Sequence, residues 1–76
     1  MKATDLEIGD IVEVMPGVWA ERIPVEVYED VMGRSLEGKW VPFAAELQPG
    51  ITHFWLVPSD AECDSKGPVA EWAGRN

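Results

Sequence analysis

Positive charge is scarce in this chain: 6 Lys or Arg stand against 14 Asp or Glu, a formal net charge of -8. Contacts to phosphate come from Lys and Arg, so the shortage argues against direct nucleic-acid binding, and the few basic residues are dispersed rather than interleaved with aromatics. Cysteine and histidine are rarer still, one of each. The single Cys63 leaves no internal disulfide and points to a reducing compartment. One Cys and one His, His53, fall short of the paired ligands at short spacing that zinc sites show. No stretch approaches 18 apolar residues, and Met1 and Lys2 are followed by Asp5 and Glu7 instead of an apolar export segment. Neither a membrane span nor a signal peptide is expected, and a cytoplasmic setting follows. Gly33 and Gly38 lack the GxxxxGK[ST] context of a phosphate-cradling loop. At 76 residues the chain is too short for a dinucleotide fold or a TIM barrel.

Large apolar side chains are plentiful. The chain is 46% hydrophobic and carries Trp19, Trp40, Trp55 and Trp72 with Tyr28, Phe43 and Phe54. Disordered acidic chains lack such groups, so a packed core is expected. Each indole brings an N–H that needs a partner when buried, which predicts that some tryptophans lie half-exposed. A domain this small buries a lesser share of its surface than larger ones, leaving a thin stability margin that a binding partner would widen.

Along the chain, Met1 to Gly9 reads as a polar lead-in. Ile11 to Met15 is a strand with Val12 and Val14 on one face and Ile11, Glu13 and Met15 on the other, closed by the Pro16-Gly17 turn. Val18-Trp19-Ala20 is a brief second strand or part of a loop. Ile23 to Tyr28 keeps a period of two and reads as a strand near a sheet edge because of Pro24. Asp30 to Gly38 reads as a loop, and Lys39 to Phe43 as a strand. Ala44 to Leu47 is one helical turn before Pro49-Gly50. Ile51 to Val57, apolar on both faces, is the strongest strand, central or covered on both sides.

These elements predict an all-β fold, a small SH3-like antiparallel β-barrel over residues 1–58 with one short helical turn. Closure would remove the edges that recruit other chains. Gly9, Asp10, Val12 and Val14 form a GDxVxV opening that resembles the first strand of many small barrel modules. The pattern is short and assigns neither family nor function. Residues 59–76 read as a polar, loosely ordered tail that docks, if at all, through Trp72.

The chemistry-bearing residues do not converge. His53 has no acidic or thiol partner at local spacing. Cys63 is flanked by Glu62 and Asp64, which would raise its pKa and weaken it as a nucleophile. Asp60, Glu62, Asp64 and Glu71 match positions 1, 3, 5 and 12 of a calcium loop, but Ser65 stands where the turn requires Gly and no flanking helices are expected. The expectation is a chain without enzymatic activity, cofactor or metal site.

The function expected instead is that of a small acidic interaction module or accessory subunit, of cellular or viral origin, that binds a basic protein surface. Trp19, Tyr28 and Trp40 would supply contact area, and Glu26, Glu29, Asp30 and Glu37 the field around them. A second copy of the chain is a further expected partner. Two rival readings are a nucleic-acid mimic that occupies a DNA- or RNA-binding protein, and a structural component of a larger assembly.

Overall fold

A computed structural model describes residues 1–68 of the chain, with side chains described through residue 64. The chain begins with a single 3-10 turn, Ala3–Asp5, followed by β1 (Asp10–Met15) and β2 (Val18–Arg22). A helix, α1 (Val25–Met32), precedes β3 (Trp40–Gln48), β4 (Ile51–Pro58) and the short β5 (Ser65–Pro68). All neighbouring strands are antiparallel, and the sheet order is β4-β3-β2-β1-β5.

The expected SH3-like barrel does not form. β4 and β5 lie at opposite edges of an open sheet and do not pair, and the fold is not all-β. The reason lies in residues 23–28, the segment expected as a strand. Pro24 precedes the first helical turn, where its missing N–H costs nothing, and its carbonyl accepts from the Val27 and Tyr28 amides. Glu26 sits in the first turn, favourable to the helix dipole. Gly33 ends the helix at φ 68°, and its N–H donates to the Glu29 carbonyl. The period-two pattern of Ile23, Val25 and Val27 was real but shorter than the helical spacing of Val25, Tyr28 and Met32. The segment expected as a barrel strand lies across one sheet face as a helix instead.

The helical turn expected at Ala44–Leu47 is also absent. β3 runs through it and pairs with β4 from Trp40↔Pro58 to Gln48↔Ile51. Two residues of Pro49-Gly50 turn, with Gly50 at φ 78°, bring the strands together, and cross-strand pairing outweighs the helix propensity of two alanines. β4 is confirmed as a strand; it stands at the sheet edge rather than at the centre. The alternative expectation, cover on both faces, is the one met, with Trp55 and Val57 packed on the core and Phe54 against Tyr28.

The sheet has two covered faces. One carries Val12, Ala20, Val41 and Phe43, with Val14, Ala45, Trp55 and Val57 packed around them. Its cover is the segment expected as a polar lead-in: Ala3 and Leu6 are both buried there. That segment runs beside residues 59–63, through Ala3 N–H to the Ala61 carbonyl (2.8 Å), Thr4 N–H to Ser59 (3.0 Å) and Cys63 N–H to Met1 (2.7 Å). The opposite face receives α1, whose Tyr28 meets Phe54 of β4. Residues 65–68 extend the sheet on β1, through Asp10↔Pro68 and Val12↔Ser65. Trp72, the expected docking residue of the tail, lies outside the described residues.

Candidate functional site

The residues singled out from sequence occupy three places. Tyr28 is buried, 4% exposed, with its ring held edge-on by Phe54. Pro42, the neighbour expected to form an aromatic and proline shelf with it, is among the most buried residues. Trp40 begins β3 and is 41% exposed. Trp19, half-buried on β2, lies at the other end of the molecule, where it helps line a cleft of about 260 Å³ with Val12, Glu13, Glu62, Cys63 and Asp64. The three aromatics therefore do not form one shelf.

The four acids divide by role. Glu29 turns back toward the loop after α1, and its Oε2 accepts the Leu36 amide at 2.7 Å, which ties that loop to the helix. Glu37 sits in the turn that follows, where the Lys39 amide donates to the Leu36 carbonyl. Its φ of 56° makes it the one non-glycine with positive φ among the described residues, a conformation that suits Asn or Gly better. Its carboxylate stands 3.9 Å from the Lys39 ammonium, both largely exposed. Glu26 and Asp30, four residues apart on α1, are exposed, and among the described residues no side-chain hydrogen bond or ion pair holds either carboxylate.

Sequence reading missed the apolar side of the same helix. Val27 and Val31 lie one turn apart, and Val31 is 62% exposed; Met32 is exposed as well. A surface helix normally turns such residues inward. The signal would have been the helical period itself, which was read as strand alternation. α1 thus presents carboxylates and aliphatic side chains together to solvent.

The acidic cleft by Trp19 is chemically quieter. Glu62 carboxylate accepts from the Met1 amine at 2.9 Å, and this contact lowers the carboxyl's pKa and raises the amine's. Glu13 accepts the Gly17 amide across the β1–β2 turn at 3.0 Å. Burial is the main cause that raises the Cys63 thiol; the amine opposes it, and Glu62 and Asp64 add to it in smaller measure. Among the described residues no cluster of three His, Cys, Asp or Glu side chains is placed to hold a metal ion. Glu71, the last acid of the calcium-loop spacing, lies outside them. His53 is packed beside Trp55 on the core face, ring centroids 6.2 Å apart, with its Nε2 buried and without a hydrogen-bond partner. No described helix is long and apolar enough to cross a membrane. Comparison with protein-family models, with curated proteins and with solved structures finds no match to this chain.

Proposed function

We propose that the protein is a small acidic interaction module whose α1 receives a partner surface bearing Lys or Arg beside aliphatic residues. The observation that carries this reading is the exposure of Val27, Val31 and Met32 on the helix that also exposes Glu26 and Asp30. Burying the aliphatic groups would supply affinity, and the carboxylates would steer a cationic partner and fix its orientation. The net charge of -8 extends the steering field beyond the contact. Trp40 and the strained Glu37 are secondary candidates at the far end of the loop that Glu29 braces. A cytoplasmic setting belongs to the same proposal.

The mimic reading has weaker support. It requires carboxylates in rows at phosphate spacing, whereas Glu13, Glu26, Glu46 and Glu62 belong to β1, α1, β3 and the segment before β5.

The test is selection of peptides from a random display library against the full chain. Enriched peptides should combine Lys or Arg with Leu, Ile or Phe. Their affinity should fall at least tenfold, with a shallower salt dependence, for the Glu26→Lys, Asp30→Lys double variant. Val31→Asp should weaken it comparably. Enriched peptides without basic residues, or affinities indifferent to both variants, would reject the proposal.

A further inference from the structure

The outer edge of β4 is left open in a way natural sheets usually prevent. Edge strands are commonly short, charged, bulged or interrupted by proline, because unpaired backbone groups recruit other strands. β4 runs from Ile51 to Pro58, carries no Asp, Glu, Lys or Arg, and has its one proline at the end. Its one irregularity lies beside the hairpin turn, between Glu46 and Gln48 of β3.

The direction of its free backbone groups follows from β3. The Pro42 carbonyl accepts the Ile23 amide at 3.2 Å, so it faces toward β2. Antiparallel ladders alternate, so Leu56, the partner of Pro42, turns its N–H and C=O away from β3, and Phe54 and Thr52 do the same. Among the described residues, β4 has β3 as its one strand neighbour, and nothing pairs with this outward row.

We infer that a second copy of the chain occupies this edge, the two β4 strands pairing antiparallel about a two-fold axis at Phe54. In that register Phe54 faces Phe54 of the second copy and Thr52 faces its Leu56. On the other face His53 meets Trp55 and Ile51 meets Val57. Every residue from Ile51 to Val57 finds a counterpart, and centring the axis elsewhere on the outward row shortens the overlap. Aromatic and β-branched pairs of this kind stabilise antiparallel strands. Charge restricts where two copies can meet: bearing -8 each they repel over most of their surfaces, and β4, without Asp, Glu, Lys or Arg, is a strip where they approach with least repulsion. Continuing the ladder row by row brings Glu46 into line with Thr52, then with Leu56 and Pro42 of the second copy, so no acid meets an acid there. The interface is isologous, as a two-fold dimer requires. It uses a different surface from α1 and does not depend on the function proposed above.

The test combines sedimentation with amide exchange on the full chain. A dimer should form on concentration, with the Thr52, Phe54 and Leu56 amides gaining protection as it forms and losing it on dilution. Thr52 is exposed and its amide is not used in pairing with β3, so Thr52→Pro and Thr52→Lys should weaken association at least tenfold with unchanged far-UV circular dichroism. Four results would overturn the inference: a monomer at every concentration to about 1 mM, the weak end of specific association; a dimer in which those three amides exchange freely; protection of the three amides that is independent of dilution; or protection that appears only when a foreign strand-forming peptide is added. The exchange measurement on the unaltered chain decides the matter if either variant fails to fold.

Discussion

Tyr28 stands edge-on to Phe54, with ring centroids 5.6 Å apart and planes at 84°, and this pair holds the helix against the outermost strand. The geometry is the T-shaped one that aromatic quadrupoles favour. It places the helix over β3 and β4, and among the described residues no strand pairs with the outer edge of β4.

Removing the buried Tyr28 ring should cost about 3–4 kcal/mol, in the range of buried aromatic truncations, and removing the half-buried Phe54 ring should cost less. Chemical denaturation of Tyr28→Ala, Phe54→Ala and the double variant would check this. The double-variant cycle should return a coupling of about 1 kcal/mol. A coupling near zero would mean that the helix docks through other contacts.

Arg22 is the second keystone. Its Nη1 donates to the Leu6 carbonyl and also reaches the Thr4 carbonyl at 3.2 Å and the Ala3 carbonyl at 3.5 Å. Arg22→Met, which keeps much of the apolar stem, should lose about 2 kcal/mol by loss of charge-assisted hydrogen bonds. Amide exchange should accelerate at Ala3 and Leu6 before it does in β3. Equal acceleration in both places would show that Arg22 acts on the whole sheet instead.

Glu37 offers a gain rather than a loss. A residue at φ 56° followed by Gly38 at φ 70° matches the Asn-Gly preference of turns with two left-handed positions. Glu37→Asn should raise stability by about 0.5–1 kcal/mol, read from the denaturation midpoint. If the same change weakens binding of the selected peptides, the strain at Glu37 serves contact with the partner.

Cys63 should react slowly with iodoacetamide near neutral pH, because burial disfavours its thiolate. The rate should climb only above the ordinary thiol pKa of about 8.5. The sign for stability follows from a folded pKa above the unfolded one. The contribution is complete below the unfolded thiol pKa and is lost as pH rises through the folded value, so Cys63→Ala should flatten the alkaline side of the stability profile.

The two proposed associations respond oppositely to salt. A cationic partner on α1 should bind more weakly as ionic strength rises. Two bodies of -8 at about 30 Å repel by about 9 kcal/mol in pure water, and a Debye length of about 8 Å removes most of that, so pairing through β4 should strengthen with salt. Sedimentation in 20 mM and 200 mM salt, about a threefold change in Debye length, would check the direction.

The strands at residues 11–15 and 51–57 were legible because alternation and the Pro-Gly turns agreed there. The helix was not, since β-branched valines at 25, 27 and 31 imitate a strand, although Pro24 and Gly33 marked its start and stop. Ala44 and Ala45 misled for the opposite reason: their local preference gave way to pairing with Phe54 and His53, which no short window contains. The carboxylates of the candidate site were visible in the sequence, but their division into bracing (Glu29) and exposed (Glu26, Asp30) groups depended on where the loop after α1 returns.

β2 and β3 pair only at Glu21↔Ala44 and Arg22↔Phe43, with the Ile23–Pro42 hydrogen bond beside them, whereas β3 and β4 pair along nearly their whole lengths. The molecule is therefore two hairpins joined by a narrow seam. Under mechanical load the β3–β4 arm, with the longest ladder of the sheet, is the part expected to stay whole while the shorter seams at β2–β3 and β1–β5 open.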